Sequence, residues 1–158
     1  MTVRLRAHHL LCMLTFVGEG YTPAFIANYH RIAARLSAGE EIEVVSGPDD
    51  ICAPLLKDPS AHCFSPGPAR RDEAAAETIG RLLRIAVGQG VRISPDERLL
   101  RRLRLRFAME EFKSACEGCE WSEFCSDIAG GGFRGVRVAA RASGAIFESC
   151  SIPLCSIL

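Results

Sequence analysis

Three cysteines fall within ten residues, at Cys116, Cys119 and Cys125. This cluster restricts the fold more than any other feature. Thiols held that close must cross-link, bind a common metal centre, or be buried side by side. The chain carries eight cysteines in 158 residues. With 48% apolar residues it can bury a proper core and needs no disulfide staple. The excess therefore points to metal or redox chemistry in a reducing compartment. The N-terminus agrees. Arg4 and Arg6 precede an apolar stretch in the manner of a signal peptide, but His8 and His9 interrupt it. No small-x-small cleavage site follows before Tyr21. The expectation is a cytoplasmic protein with reduced thiols, some of them bound to metal.

The spacing of the cluster suits ligation. Cys116-Glu117-Gly118-Cys119 lets two thiolates face one centre across a tight turn, and Gly118 relieves the backbone there. Three sulfurs can fill three corners of a tetrahedral ion or of a cubane cluster. The fourth ligand must come from elsewhere. Cys52, Cys63 and Cys12 are the candidates, with His62, His8 and His9 behind them. Short zinc patterns usually come as two pairs, and here there is no second pair, because ten residues separate Cys52 from Cys63. Three clustered thiolates and one distant one suit an iron–sulfur cluster somewhat better. Trp121 and Phe124 lie inside the cysteine segment, where they would shield a cluster from water or simply pack in the core. His8 and Cys12 would share a helix face. Asp49 and Asp50 could orient such a histidine or cap the turn after Pro48.

The rest of the chain reads as a small helical domain. Residues 7–17 are apolar and free of Gly and Pro, which predicts a short buried helix. Thr22-Pro23 opens a second helix that buries Phe25, Ile26, Tyr29, Ile32, Ala33 and Leu36 and closes at Gly39. Ile42 to Val45 predicts a strand. Residues 51–67 predict an irregular loop. A third helix is expected from about Pro68 to Val87. Ser94-Pro95-Asp96-Glu97 reads as a capping box for a fourth. The fold class expected is mainly α, with a small α+β form as the variant and at most one or two short strands. Residues 1–137 make the domain and 138–158 a tail of weak pattern. Cys150 and Cys155 fall in that tail and are not counted as ligands.

Several classes are excluded or disfavoured. Lys+Arg and Asp+Glu are equal at 19 each, which argues against a nucleic-acid binder. The arginine run Arg98 to Arg106 reads as a solvated helix face pairing with Glu97, Glu110 and Glu111. No apolar run has the length of a membrane span. No Walker loop, dinucleotide fingerprint, nucleophile elbow or HExxH motif is present.

Several segments together resemble a bacterial and archaeal family, the domain of unknown function family 1284. They are His8-His9-Leu10-Leu11-Cys12, Gly18-Glu19-Gly20-Tyr21, Asp49-Asp50-Ile51-Cys52, His62-Cys63 and Cys116 to Trp121 with Cys125. Six cysteines sit at the family's cysteine positions: Cys12, Cys52, Cys63, Cys116, Cys119 and Cys125. One departure is Leu55, where the pattern often has a further cysteine. The resemblance implies an iron–sulfur-binding protein with no assigned reaction. The combined expectation is a cluster, [4Fe–4S] ahead of [2Fe–2S], on Cys116, Cys119 and Cys125, with Cys63 or Cys52 completing it. Its task would be electron transfer to a redox partner protein, redox sensing or structural support. A zinc-stabilised binding module is the alternative reading, and a thiol redox enzyme using Cys116 and Cys119 the third.

Overall fold

The computed structural model describes residues 1–140. Cys150, Cys155 and most of the expected tail lie outside the described residues. Val3–Arg6 forms β1, His9–Thr15 α1, Pro23–Ser37 α2, Ile42–Val45 β2 and Pro66–Leu83 α3. Arg92–Ile93 forms β3, Glu97–Ala108 α4, Lys113–Cys116 α5 and Ser122–Gly130 α6. The protein is thus mainly α, with a small sheet in the order β1-β2-β3. β1 runs parallel to β2, pairing Val3 with Ile42 and Arg6 with Val45. β3 pairs antiparallel with β2 through Ile42–Ile93 and Glu43–Arg92.

The sheet has one strand more than expected, because β1 and β3 are too short to show a pattern of their own. β1 forms since Val3 and Leu5 are both fully buried and need a partner strand. Its outer side is tied down by the loop after β2, where the carboxylates of Asp50 and Asp49 accept from Arg4 N and Arg6 N at 2.8 Å each.

α1 is the hub. Leu10, Leu11, Met13 and Leu14 are almost completely buried, and each contributes roughly 2 kcal/mol by leaving water. The helix packs on β1, α4 and α6. Only His9 and Cys12, three residues apart on one face, are less than fully buried. That face opens onto the site described below. α2 starts as expected: Thr22 is its N-cap and accepts from Phe25 N, with Pro23 in the first turn.

Two helix ends differ from expectation. α3 stops at Leu83 rather than Val87, with Arg84 in the left-handed region at φ 58°. α4 begins at Glu97, and its cap is Asp96, which accepts from Leu99 N at 2.7 Å. Ser94 cannot cap it because β3 holds the preceding chain extended. Of the arginine run, Arg106 pairs with Glu111 at 2.7 Å, whereas Arg104 and Arg102 donate to the carbonyls of Val138 and Leu82. Val138, just past residue 137, is fully buried, and Arg137 N donates to Phe16 O.

Candidate metal centre

Cys116, Glu117, Gly118 and Cys119 form a type II turn. Glu117 has φ −60° and ψ 129°, and Gly118 has φ 73°, the combination that requires glycine at the third position. The turn closes with Cys119 N donating to Cys116 O at 3.0 Å. Ser122 N then donates to Cys119 O, and Cys125 N to Trp121 O, which winds the chain into α6. α5 packs on α3, and α6 packs on α1 and α4. The consequence is that the cysteine turn lies over the open face of α1.

Cys12, Cys116, Cys119 and Cys125 line one cavity of about 110 Å³. Cys52 and Cys63, expected to complete the triad, do not line this cavity, whereas Cys12 does. The Thr15 hydroxyl, one turn on from Cys12, stands 3.2 Å from Cys125 Sγ and 3.3 Å from Cys12 O and donates to one or the other. The six described cysteines are all free of disulfides. Burial pushes the Cys12 thiol well above its ordinary range, and the neighbouring sulfurs of Cys125, Cys119 and Cys116 add to that. Cys116 is likewise pushed up to about 11, by burial and then by Cys119 and Cys125. Arg71, on the cavity wall, pulls both back only in part. A bound cation is what such a set requires to become thiolate.

The remaining walls are largely apolar, with Phe16, Phe107, Trp121 and Phe124 among them. Trp121 and Phe124 line the same cavity as the cysteines, in edge contact with one another at 5.7 Å between ring centroids. Two polar atoms on the lining are orphans. Tyr29 Oη and Trp121 Nε1 are buried without any hydrogen-bond partner among the described residues. Both are donors. Buried donors left unpaired cost stability, and both border the space the thiols surround.

His8 and His9 form a second layer at the start of α1. Each gives its Nδ1 to a carboxylate: His8 to Asp72 Oδ1 at 2.7 Å, His9 to Asp49 Oδ2 at 2.6 Å. Burial lowers the His8 pKa to about 4 against the opposing pull of Asp72, so at neutral pH a neutral ring donates to an ionised acid. Asp72 also takes Arg6 Nε, Arg6 Nη2 and His8 N. Burial alone would raise Asp72, but its bonds from His8 and Arg6 outweigh it and hold the carboxyl at about 2. Asp50 is used differently, by Arg4 N, and does not orient a histidine.

Cys52 and Cys63 meet elsewhere. They line a separate cleft together with His62, Leu55 and His9. Two trios of possible donors have all atoms within 4.8 Å of one another: His8–His9–Cys12 and His9–Asp49–Cys52. Among the described residues, the four thiols of the first cavity furnish no such trio.

As site residues the sequence reading passed over Asp72, Arg71 and Thr15, and it had Tyr29 only as core and Tyr21 only as part of the family's pattern; all five border these two cavities or their histidines. Asp72 carried a signal: with Ala75 and Ile79 it falls on the buried stripe of α3, where an acid needs a partner.

The chain matches the family described as Protein of unknown function (DUF1284) over residues 20–125. It belongs to this family. The DUF1284 match takes in Cys52, Cys63, Cys116, Cys119 and Cys125, while His8, His9 and Cys12 precede it. No curated protein and no solved structure matches the chain. Family membership thus brings no named activity, and the DUF1284 site stands on its own geometry.

Proposed function

We propose that this protein is a cytoplasmic iron–sulfur protein whose cluster, [4Fe–4S] rather than [2Fe–2S], is held by Cys12, Cys116, Cys119 and Cys125. The carrying observation is the convergence of four thiols from α1, the turn after α5, and α6 on one largely apolar cavity. The donor set fits the group in a second respect. The unpartnered Tyr29 Oη and Trp121 Nε1 border the same space, and a cluster presents sulfur acceptors to both. Spacing favours a cluster over a single ion. Sulfurs on one tetrahedral zinc lie about 3.8 Å apart, whereas a cubane spreads its thiolates to roughly 6–7 Å. The four thiols here, with no trio inside 4.8 Å among the described residues, are on the wider side.

Such a cluster supplies one-electron chemistry. The protein holds it, shields it with Trp121 and Phe124, and offers N–H and O–H donors to its sulfurs. Arg71 offsets its negative charge. The role that follows is electron transfer with a redox partner protein, or redox sensing.

Anaerobic purification is expected to give a brown protein with about four irons per chain. Cys12→Ser should lose the colour and the iron, while Cys63→Ser should keep both. Iron retained in Cys12→Ser would overturn the ligand set. Stoichiometric zinc without iron would replace the cluster by a single ion on Cys12, His8 and His9.

A further inference from the structure

His8 and His9 carry donors that a cluster on four thiols leaves unused. A ring nitrogen of each and Cys12 Sγ all lie within 4.8 Å of one another. That is the closeness a single ion demands, and among the described residues the four thiols lack it. One turn of α1 sets the arrangement. Cys12 N donates to His8 O at 3.2 Å, and His8 and His9 stand four and three residues before Cys12, on the same side of the turn. The two rings meet edge to face, with 4.4 Å between their centroids.

Each ring is fixed from behind by its own acid. His8 meets Asp72 Oδ1 through both Nδ1 and its backbone N, at 2.7 and 3.1 Å, and His9 Nδ1 meets Asp49 Oδ2 at 2.6 Å. The acids are held in turn. Asp72 accepts from Arg6 Nε and Nη2, and Asp49 from the backbone N–H groups of Arg6, Ile51 and Cys52. Histidines that ligate metals donate one ring N–H to a carboxylate in this way, which fixes the tautomer and leaves the other nitrogen with its lone pair. Here two successive histidines have that support, one from α3 and one from the loop after β2.

We propose that His8, His9 and Cys12 bind one zinc ion, with the Cys12 thiolate bridging it to the cluster. The bridge rests on the cluster reading; the three ligands do not. A thiolate that binds one iron keeps lone pairs on sulfur for a second metal. Two imidazoles and a thiolate are a borderline-soft set that suits zinc and excludes calcium or magnesium. Three protein ligands leave a fourth position open, the pattern of a zinc that binds water or a substrate group rather than one that only staples the fold. His8 and His9 line both the four-thiol cavity and a cleft of about 280 Å³ whose walls include the exposed Ser60 and His62. That cleft gives the open position a route to solvent.

The test is metal analysis of the full chain, purified anaerobically from medium containing iron and zinc. One zinc per chain is expected beside the iron. His8→Asn and His9→Asn each keep a side-chain N–H for the acid behind and remove Nε2. Both should lose the zinc and keep the iron and the brown colour. Cys12→Ser should lose both metals, and Cys63→Ser should keep both. X-ray absorption at the zinc edge of the unmutated protein reads the ligands without depending on a variant folding. One sulfur at about 2.3 Å is expected, with nitrogen or oxygen at about 2.0 Å in the other positions. Two or more sulfurs on the zinc overturn the proposal. So does zinc that persists in either histidine variant or disappears in Cys63→Ser, and so does an unmutated protein with iron and no zinc, which leaves the cluster reading intact. If the protein holds zinc but no iron, and His9→Asn loses that zinc, the cluster reading fails and the His8–His9–Cys12 site stands without its bridge.

Discussion

Tyr29 faces the four-thiol cavity with a hydroxyl that bonds to no described residue. Its ring is well placed, stacked on Phe16 at 3.9 Å, so the oxygen is the misfit. An acceptor bound in the cavity would satisfy it. Tyr29→Phe is therefore expected to act with opposite signs on the two forms. It should stabilise the metal-free protein by about 1 kcal/mol, by removing an unpaired buried group. It should lower the reduction potential of the loaded protein by about 40 mV, the loss of one hydrogen bond of about 1 kcal/mol to a one-electron centre. Denaturant melts and a redox titration read the two, and a potential that does not move would remove Tyr29 from the cluster. Asp72 is the opposite case, a fully used acid. Asp72→Asn strips the charge from a pair in which Arg6 is only 2% exposed, and should cost about 3 kcal/mol. The acid's folded pKa of about 2 lies below its ordinary 3.8. Its contribution is complete above the higher value and vanishes as pH falls through the lower one. The stability gap between wild type and variant should be flat near neutrality and narrow below about pH 4; a gap that widened there would contradict the assignment. That acid could be read from its place on a buried stripe. The partners could not, because His8 and Arg6 lie more than sixty positions away and meet Asp72 only in the folded chain.

At the scale of elements, α3 ends where no stop signal stands. The apolar residues Ile85, Ala86 and Val87 continue past Leu83, and the nearest glycine ahead is Gly88, so periodicity extends the helix four residues too far. The chain leaves the helix because Ile85 must double back, donating its N–H to Gly80 O at 3.2 Å. A Cβ on Gly80 would meet Ile85 O at 2.9 Å, so the missing side chain is what permits the return. Arg84 bears the cost by adopting φ 58° without the freedom of glycine. Arg84→Gly is expected to raise stability by about 0.5–1 kcal/mol, measurable as a shift in the urea midpoint at constant m. A loss of stability would mean that the Arg84 side chain makes a contact outweighing its strain. The elements with strong local chemistry were legible: the Thr22-Pro23 start of α2, the buried face of that helix, and the cysteine turn around Gly118. β1 and β3 were not, since four-residue and two-residue strands exist only through their pairing with β2. The pairing of Cys12 with the triad was hidden for the same kind of reason. Its apolar flanks read as core, which they are, and the sequence does not reveal that the His9–Cys12 face of that core helix is left open.

Across the whole molecule, burial is uneven in a way that tells how metal and fold depend on each other. The sheet, α1 and α2 share a dense apolar core that includes Val3, Leu5, Leu14, Leu36 and Ile42, each fully buried. The segment that carries the cysteine turn is poor by comparison. α5 buries only Ala115 and α6 only Ala129, with Phe112 just ahead of them as the one large anchor. Two buried alanines supply about a fifth of what four buried leucines do, roughly 1–2 kcal/mol against about 8, so apolar packing alone holds this segment weakly. A metal centre joining Cys116, Cys119 and Cys125 to Cys12 would fasten it to the deeply buried helix α1. Removing the metal is then expected to loosen residues 113–130 selectively. Amide exchange there should speed up at least tenfold, a local opening cheaper by about 1.4 kcal/mol. The amides of Val44 and Leu5 in the sheet should stay protected in both forms. Exchange followed by mass spectrometry on the loaded and chelated protein reads both regions at once. Uniform loosening would mean the metal supports the entire fold. No change at 113–130 would mean that the cysteine turn docks without it, and the four thiols would then need another explanation than a shared ligand.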